Sequence, residues 1–230
     1  QELHRQSVLA GSPLIDRAAI QNELDSLEYP LYFLDYETYA TAFPLYPGYK
    51  PYQHVIFQYS LHIINRDGEL KHHELLLTGE EDPGPSLASD LLEKIGESGS
   101  VLVWNKGFEM GKTAEMAERY PSFREGLLRI IARIYDLMEI FRMGYYVDPG
   151  FKGSASLKTV LPVFLPEFEN AYEELTISGG TQALLTWGEI FKGKIPEDQL
   201  PQVKKDMLAY CELDTLAMVK IWQKLQALCS

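Results

Sequence analysis

Residues 31–37, Leu-Tyr-Phe-Leu-Asp-Tyr-Glu, run aromatic and aliphatic for four positions and then place two acids two residues apart. The run follows Tyr29-Pro30 and precedes a proline-rich segment, which predicts a buried strand with acids only at its end. Alternation along a strand puts Asp35 and Glu37 on one face. Two like charges side by side repel, and burying them is costly without compensation. A divalent cation is the usual compensation, and carboxylate oxygens favour Mg²⁺ or Mn²⁺. Read alone, such a pair is more often a strand end reaching solvent.

Upstream of this strand, Ser12-Pro13 predicts a helix start, with Ile20, Leu24 and Leu27 at helical spacing. Residues 1–28 thus read as an N-terminal helical extension to a domain over 29–230. Downstream, residues 40–53 hold three prolines and one glycine and predict an irregular loop. Residues 54–64 alternate, with Val55, Phe57, Tyr59, Leu61 and Ile63 on one face. Asn65-Arg66-Asp67-Gly68 predicts a hairpin turn into a return strand over 69–77. There His72 and His73 point to opposite faces and read as surface residues. Ser86 predicts the cap of a helix carrying Leu87, Leu91, Leu92 and Ile95. A fourth strand is expected over 100–105, helices over 107–119 and 122–133, and a short fifth strand within 133–139. Further helices are expected over 156–163, 180–192 and 198–228. This order predicts an α/β domain whose sheet has an antiparallel half and a parallel half. The mixed five-stranded sheet of ribonuclease H-like folds, flanked by helices, has the same order of elements.

Composition narrows function. The 230 residues are 46% hydrophobic, enough for a sizeable core. Lys and Arg number 21 against 33 Asp and Glu, a net charge of −12, which argues against coating nucleic acid by bulk charge. It leaves open an enzyme that holds nucleic acid locally through metal ions. No apolar run reaches membrane-span length and no signal pattern opens the chain, so a cytoplasmic protein is expected. The opening residues, which lack Met, read as a fragment boundary. Cys211 and Cys229 form no disulfide framework and are expected as reduced thiols. Together with five scattered His they suggest no zinc site.

Two further acid motifs stand out. In Tyr-Cys-Glu-Leu-Asp, residues 210–214, Tyr210 and Asp214 lie one helical turn apart on one face. In Asn-Lys-Gly-Phe-Glu, residues 105–109, Glu109 falls in the first turn of a helix, where the dipole favours a carboxylate. Singly, Tyr210 reads as core, Asp214 as solvated and Glu109 as an ordinary first-turn acid. Taken with Asp35 and Glu37, their order and spacing resemble the three motifs of the DEDD superfamily of 3′–5′ exonucleases. Tyr210, four residues before Asp214, matches the tyrosine branch; the position of the histidine branch holds Ala209. The second motif usually carries Asp, where this chain has Glu109. The chain also resembles a largely uncharacterised bacterial family, the domain of unknown function numbered 2779. That likeness runs through 33–38, 51–62, 105–109, 135–137 and 153–162 and covers about 29–220.

The resemblance implies a two-metal 3′–5′ exonuclease releasing 5′-mononucleotides from single-stranded nucleic acid or short oligonucleotides. It implies two Mg²⁺ or Mn²⁺ ions held by Asp35, Glu37, Glu109 and Asp214, with Asp35 bridging and Tyr210 orienting the attacking water. Family members carry Asp136 near the site; by itself it also reads as the cap of the next helix. The family domain is often the C-terminal part of a longer protein, which implies a fused N-terminal domain. Substrate contacts are expected from Asn105 and Lys158, the latter neutralising a phosphate. Tyr39 and the following loop's Phe43, Tyr46, Tyr49 and Tyr52 offer rings on which unpaired bases stack. These rings read at least as well as pins holding the loop to the body, and Trp104 reads as core. Two other readings stand beside this one: a catalytically weak or inactive nucleic-acid-binding module of a larger protein, and a hydrolase of short substrates.

Overall fold

The acid-tipped run is the central strand of the molecule. In the computed structural model, which describes residues 2–229, it forms strand β2 (Leu31–Tyr39). Before it come helix α1 (Glu2–Ala10), strand β1 (Leu14–Ile15) and helix α2 (Arg17–Asp25). After it come β3 (Val55–Ile64), β4 (Leu70–Leu76), α3 (Gly84–Lys94), β5 (Ser100–Val103) and α4 (Lys106–Arg119). Then follow α5 (Arg124–Ile131), β6 (Ile134–Asp136), α6 (Glu139–Arg142), β7 (Tyr146–Val147), α7 (Leu157–Phe164), α8 (Gly180–Phe191) and α9 (Leu200–Cys229). The five-stranded sheet has the order β4-β3-β2-β5-β6. The β2–β3 and β3–β4 pairs are antiparallel, while β2–β5 and β5–β6 are parallel. The fold is therefore mixed α/β, with a mixed five-stranded sheet flanked by helices, as the order of elements predicts.

Helices cover both sheet faces, so β2 is apolar on both sides. Tyr32, Leu34 and Tyr36 pack with Leu87 and Leu91 of α3, Met116 of α4 and Ile130 of α5. Leu31 and Phe33 point the other way, into a core with Ile20 of α2, Leu161 of α7 and Trp222 of α9. By alternation Asp35 and Glu37 continue the face that meets α9. Each large apolar side chain fully buried this way contributes about 1.5–3 kcal/mol.

Several local expectations are corrected. Helix α2 starts at Arg17, because Asp16, not Ser12, caps it by accepting the Ala19 N–H at 3.0 Å. The segment after Ser12-Pro13 is extended instead and pairs with β7, Leu14 opposite Val147. Helix α3 begins at Gly84, ahead of Ser86; Asp82 accepts the Gly84 N–H at 3.1 Å. Phe57 does not share the face of Tyr59, Leu61 and Ile63. The β2–β3 register shifts between Glu37 and Thr38, leaving Phe57 as the extra residue. It turns to the α8 side, where its ring stacks on Trp187 at 5.0 Å. His72 is no surface residue either: its ring stacks on that of buried His62, its direct cross-strand neighbour, with centroids 4.4 Å apart. Among the described residues no helix is long and apolar enough to cross a membrane.

Candidate metal site

Strand alternation and helical periodicity converge on one point. Asp35 and Glu37 project from β2 towards α9, and Asp214 projects back from α9. One carboxylate oxygen from each of the three lies within 4.8 Å of the others. Glu37 and Asp214 are buried and Asp35 is half-buried. Burial, and then the charge of Asp214, pushes the Asp35 carboxyl well above its usual range. Burial, followed by Asp35 and Asp214, does the same to Glu37. Asp214 is raised to about 6 by burial, against the pull of a hydrogen bond from Tyr172 and the charge of Lys158.

Around this trio stand Tyr172 and Cys211, which the sequence did not indicate, and Lys158 and Tyr210, which it did. The Tyr172 hydroxyl donates to Asp214 Oδ1 at 2.5 Å. Cys211, fully buried, places its thiol 3.6 Å from Asp35 Oδ2, and both cysteines are free thiols. Lys158 is exposed and donates to the Ser178 carbonyl at 2.5 Å. Its ammonium lies 4.8 Å from the ring centres of both Tyr172 and Tyr210. Burial and then the charges of Asp214, Glu37 and Asp35 raise the Tyr210 phenol far above its ordinary value, so it remains a hydrogen-bond donor. A Cβ on Gly180, the first residue of α8, would lie 3.8 Å from both the Tyr210 hydroxyl and Glu37 Oε2. The start of α8 therefore borders the site without filling it.

Glu109 stands off the trio. It sits in the first turn of α4, only 2% exposed, and its Oε2 has no hydrogen-bond partner. Burial and then the charge of Asp35 push its pKa up to about 9. The turn that delivers Glu109 is built by Asn105, whose φ of 79° is left-handed, a conformation Asn tolerates better than most residues. Asn105 itself is exposed, and its side chain does not cap the helix. Asp136 does that work across the strands. Its oxygens accept the N–H groups of Asn105 at 3.0 Å, Lys106 at 3.1 Å and Met138 at 3.1 Å. Asp136 thus positions α4. Asp136→Ala, which strands three backbone donors, is expected to cost roughly 3 kcal/mol, read as a lower denaturant midpoint.

Two expected substrate contacts are core residues. Tyr39 is 7% exposed and packs its ring 5.1 Å from Trp187. It lies so close to α8 that only glycine fits at Gly188, where a Cβ would come within 2.6 Å of the Tyr39 ring. Tyr46 is 6% exposed and packs on Phe191 and Tyr49, and Arg119 covers the Tyr49 ring at 3.5 Å. These rings pin the 40–53 loop to the body. Phe43 and Tyr52 remain open, 82% and 69% exposed. Trp104 packs against the core, and its indole donates to the Ala155 carbonyl at 3.0 Å.

Curated relatives that resemble this chain are themselves described as uncharacterised. The chain is 26% identical over 207 residues to the uncharacterised protein UU173 of Ureaplasma parvum serovar 3, covering 82% of this chain and 30% of that protein. It is 27% identical over 207 residues to the uncharacterised MG366 homolog of Mycoplasma pneumoniae, covering 82% and 31%. To the uncharacterised MG366 of Mycoplasma genitalium it is 24% identical over 217 residues, covering 87% and 32%. The chain thus spans about a third of the length of the curated relatives it matches. No solved structure matches it at a significant level. A family model does match over residues 32–156, more than half of the chain: this protein belongs to the family described as Domain of unknown function (DUF2779).

Proposed function

We propose that this chain is a ribonuclease H-like, metal-dependent 3′–5′ exonuclease acting on single-stranded nucleic acid. The carrying observation is the convergence of Asp35, Glu37 and Asp214 within 4.8 Å, with their pKa values raised by burial. Such a trio is electrostatically unfavourable by itself, and a cation removes the penalty. The donors are hard oxygens, which suit Mg²⁺ or Mn²⁺. Asp35, Glu37 and Asp214 would hold one ion. Glu109, whose buried Oε2 lacks a partner, would help hold a second beside Asp35. Two bound ions would stabilise the attacking and leaving oxygens of an in-line phosphodiester displacement. The sheet order and the resemblance to the tyrosine-type DEDD motifs support the same reading.

The chain's own residues divide the remaining work. Tyr210, kept protonated, donates to the attacking water and fixes its direction. Tyr172 holds Asp214 in place. Lys158, at the exposed rim, neutralises a substrate phosphate. Tyr210→Phe is expected to lower turnover about 10²-fold while metal binding stays intact, checked by single-turnover kinetics beside a Mn²⁺ titration. The function is tested with single-stranded DNA and RNA carrying a label at the 5′ end, incubated with Mn²⁺, Mg²⁺ or EDTA. A metal-dependent ladder shortening from the 3′ end, with 5′-mononucleotides released, is the expected result. Intact substrate in every lane would instead favour a binding module of a longer protein.

A further inference from the structure

Two residues along β3 from Ser60, the partner of Asp35, lies a second cluster on the same sheet face. His62 of β3, His72 of β4 and Glu212 of α9 each offer a ligand atom, and the three atoms lie within 4.8 Å of one another. Hydrogen bonds around them favour one pair of imidazole tautomers. The Thr215 hydroxyl is within donating reach of the Glu212 carbonyl at 3.0 Å, and sending its proton there lets every neighbouring group be satisfied. In that arrangement Ser60, 2.7 Å from Thr215, is the donor of that pair. In the same arrangement His62 Nδ1, 2.8 Å from Thr215, donates to it. With the Ser60 proton also committed, His72 Nε2 donates to Ser60 at 2.9 Å. Each ring is left with one free lone pair, on His62 Nε2 and His72 Nδ1, and His72 Nδ1 is 3.7 Å from Glu212 Oε1.

We propose that His62 Nε2, His72 Nδ1 and a Glu212 carboxylate oxygen form a binding site for a borderline divalent cation of the Zn²⁺ type, separate from the carboxylate trio. Two imidazoles and one carboxylate are a zinc donor set, with a fourth position left for water or another ligand. Hydrogen bonds from the second ring nitrogens to Thr215 and Ser60 are the outer support that orients ligating histidines. The rings of this direct cross-strand pair stack with centroids 4.4 Å apart and planes 25° from parallel, so one ring must turn about its Cβ–Cγ bond for both lone pairs to meet one ion. Glu212 and His72, with side chains 46% and 23% exposed, give an ion a way in from solvent. A cation here would tie the edge strand β4 and β3 to α9, the helix that carries Tyr210 and Asp214. The nitrogen donors set this site apart from the all-oxygen trio, so the two are expected to select different metals.

The test is a Co²⁺ titration of the whole chain, followed by visible absorption and then by Zn²⁺ displacement. Co²⁺ held by nitrogen donors in a four-coordinate site absorbs strongly; in an octahedral oxygen site it absorbs weakly. A strong band saturating at one equivalent and bleached by Zn²⁺ is expected. It should persist in Asp35→Asn and vanish in His72→Ala. Glu212→Gln, at a half-exposed helix position, guards against loss through misfolding. It should weaken Zn²⁺ affinity by more than the roughly 10–100-fold typical of losing an outer-shell contact. Absence of the band, its survival in His72→Ala, undiminished Zn²⁺ affinity in Glu212→Gln, or loss of the band in Asp35→Asn would overturn the proposal.

Discussion

Asp35→Asn is expected to abolish metal-dependent hydrolysis, by on the order of 10³-fold or more, while the metal-free protein becomes more stable. The two effects share one origin. Asp35 lies between Glu37, Asp214 and Glu109 electrostatically: its charge raises the pKa of Glu37 and Glu109, and Asp214 raises its own. Removing that charge removes a ligand from the proposed metal site, and a metal supplies several kcal/mol of transition-state stabilisation. It also relieves repulsion that the empty site must bear. Activity and melting temperature measured on the same sample separate this outcome from misfolding, which would lower both. Hydrolysis undiminished in Asp35→Asn would remove the trio from the mechanism.

The second large effect is a stability that falls as pH rises. The carboxyls of Asp35 and Glu37 are raised well above their ordinary values, Asp214 to about 6 and Glu109 from 4.5 to about 9. Between its unfolded and folded pKa, each group binds more protons in the folded state than in the unfolded one. By linkage, stability is then fully present below the unfolded value and is lost as pH climbs through the folded value. Metal-free protein should therefore melt progressively lower from about pH 4.5 to pH 9, the span of the Glu109 shift. For a chain of this size, each kcal/mol lost lowers the melting temperature by about 2–4 °C. Mn²⁺ or Mg²⁺ should flatten the dependence, because a bound cation takes the place of the protons. Glu109→Gln should remove part of the slope without metal. Scanning calorimetry across this range, with EDTA or with metal, checks it; a flat or rising profile in EDTA would refute it.

The parts of this site visible in the sequence are those set by local periodicity. Period two places Asp35 beside Glu37, and the helical turn places Tyr210 beside Asp214, whatever lies around them. The apolar run ending in two acids likewise foretells a buried strand. What the sequence conceals depends on long-range packing. Tyr172 lies in the mixed stretch over 143–178, where no pattern links it to Asp214 forty-two positions away. Cys211 is one residue from Tyr210, yet its contact with Asp35 exists only because α9 crosses β2. Asp136 reads as a local cap, but it serves a turn about thirty residues earlier through a parallel strand pair. Tyr39 looks available because it is polar-tipped at a strand end; α8, packed against it, makes it core. His72 looks exposed because strand alternation does not say that a helix covers that face of an edge strand.

The claim that Asp35, Glu37 and Asp214 exist to hold a cation is tested most directly by calorimetric titration of the metal-free chain with Mn²⁺, beside Asp35→Asn and Asp214→Asn. Saturable binding in the wild type that is lost in both variants is the expected result. No binding, or binding that both variants retain unchanged, would contradict it.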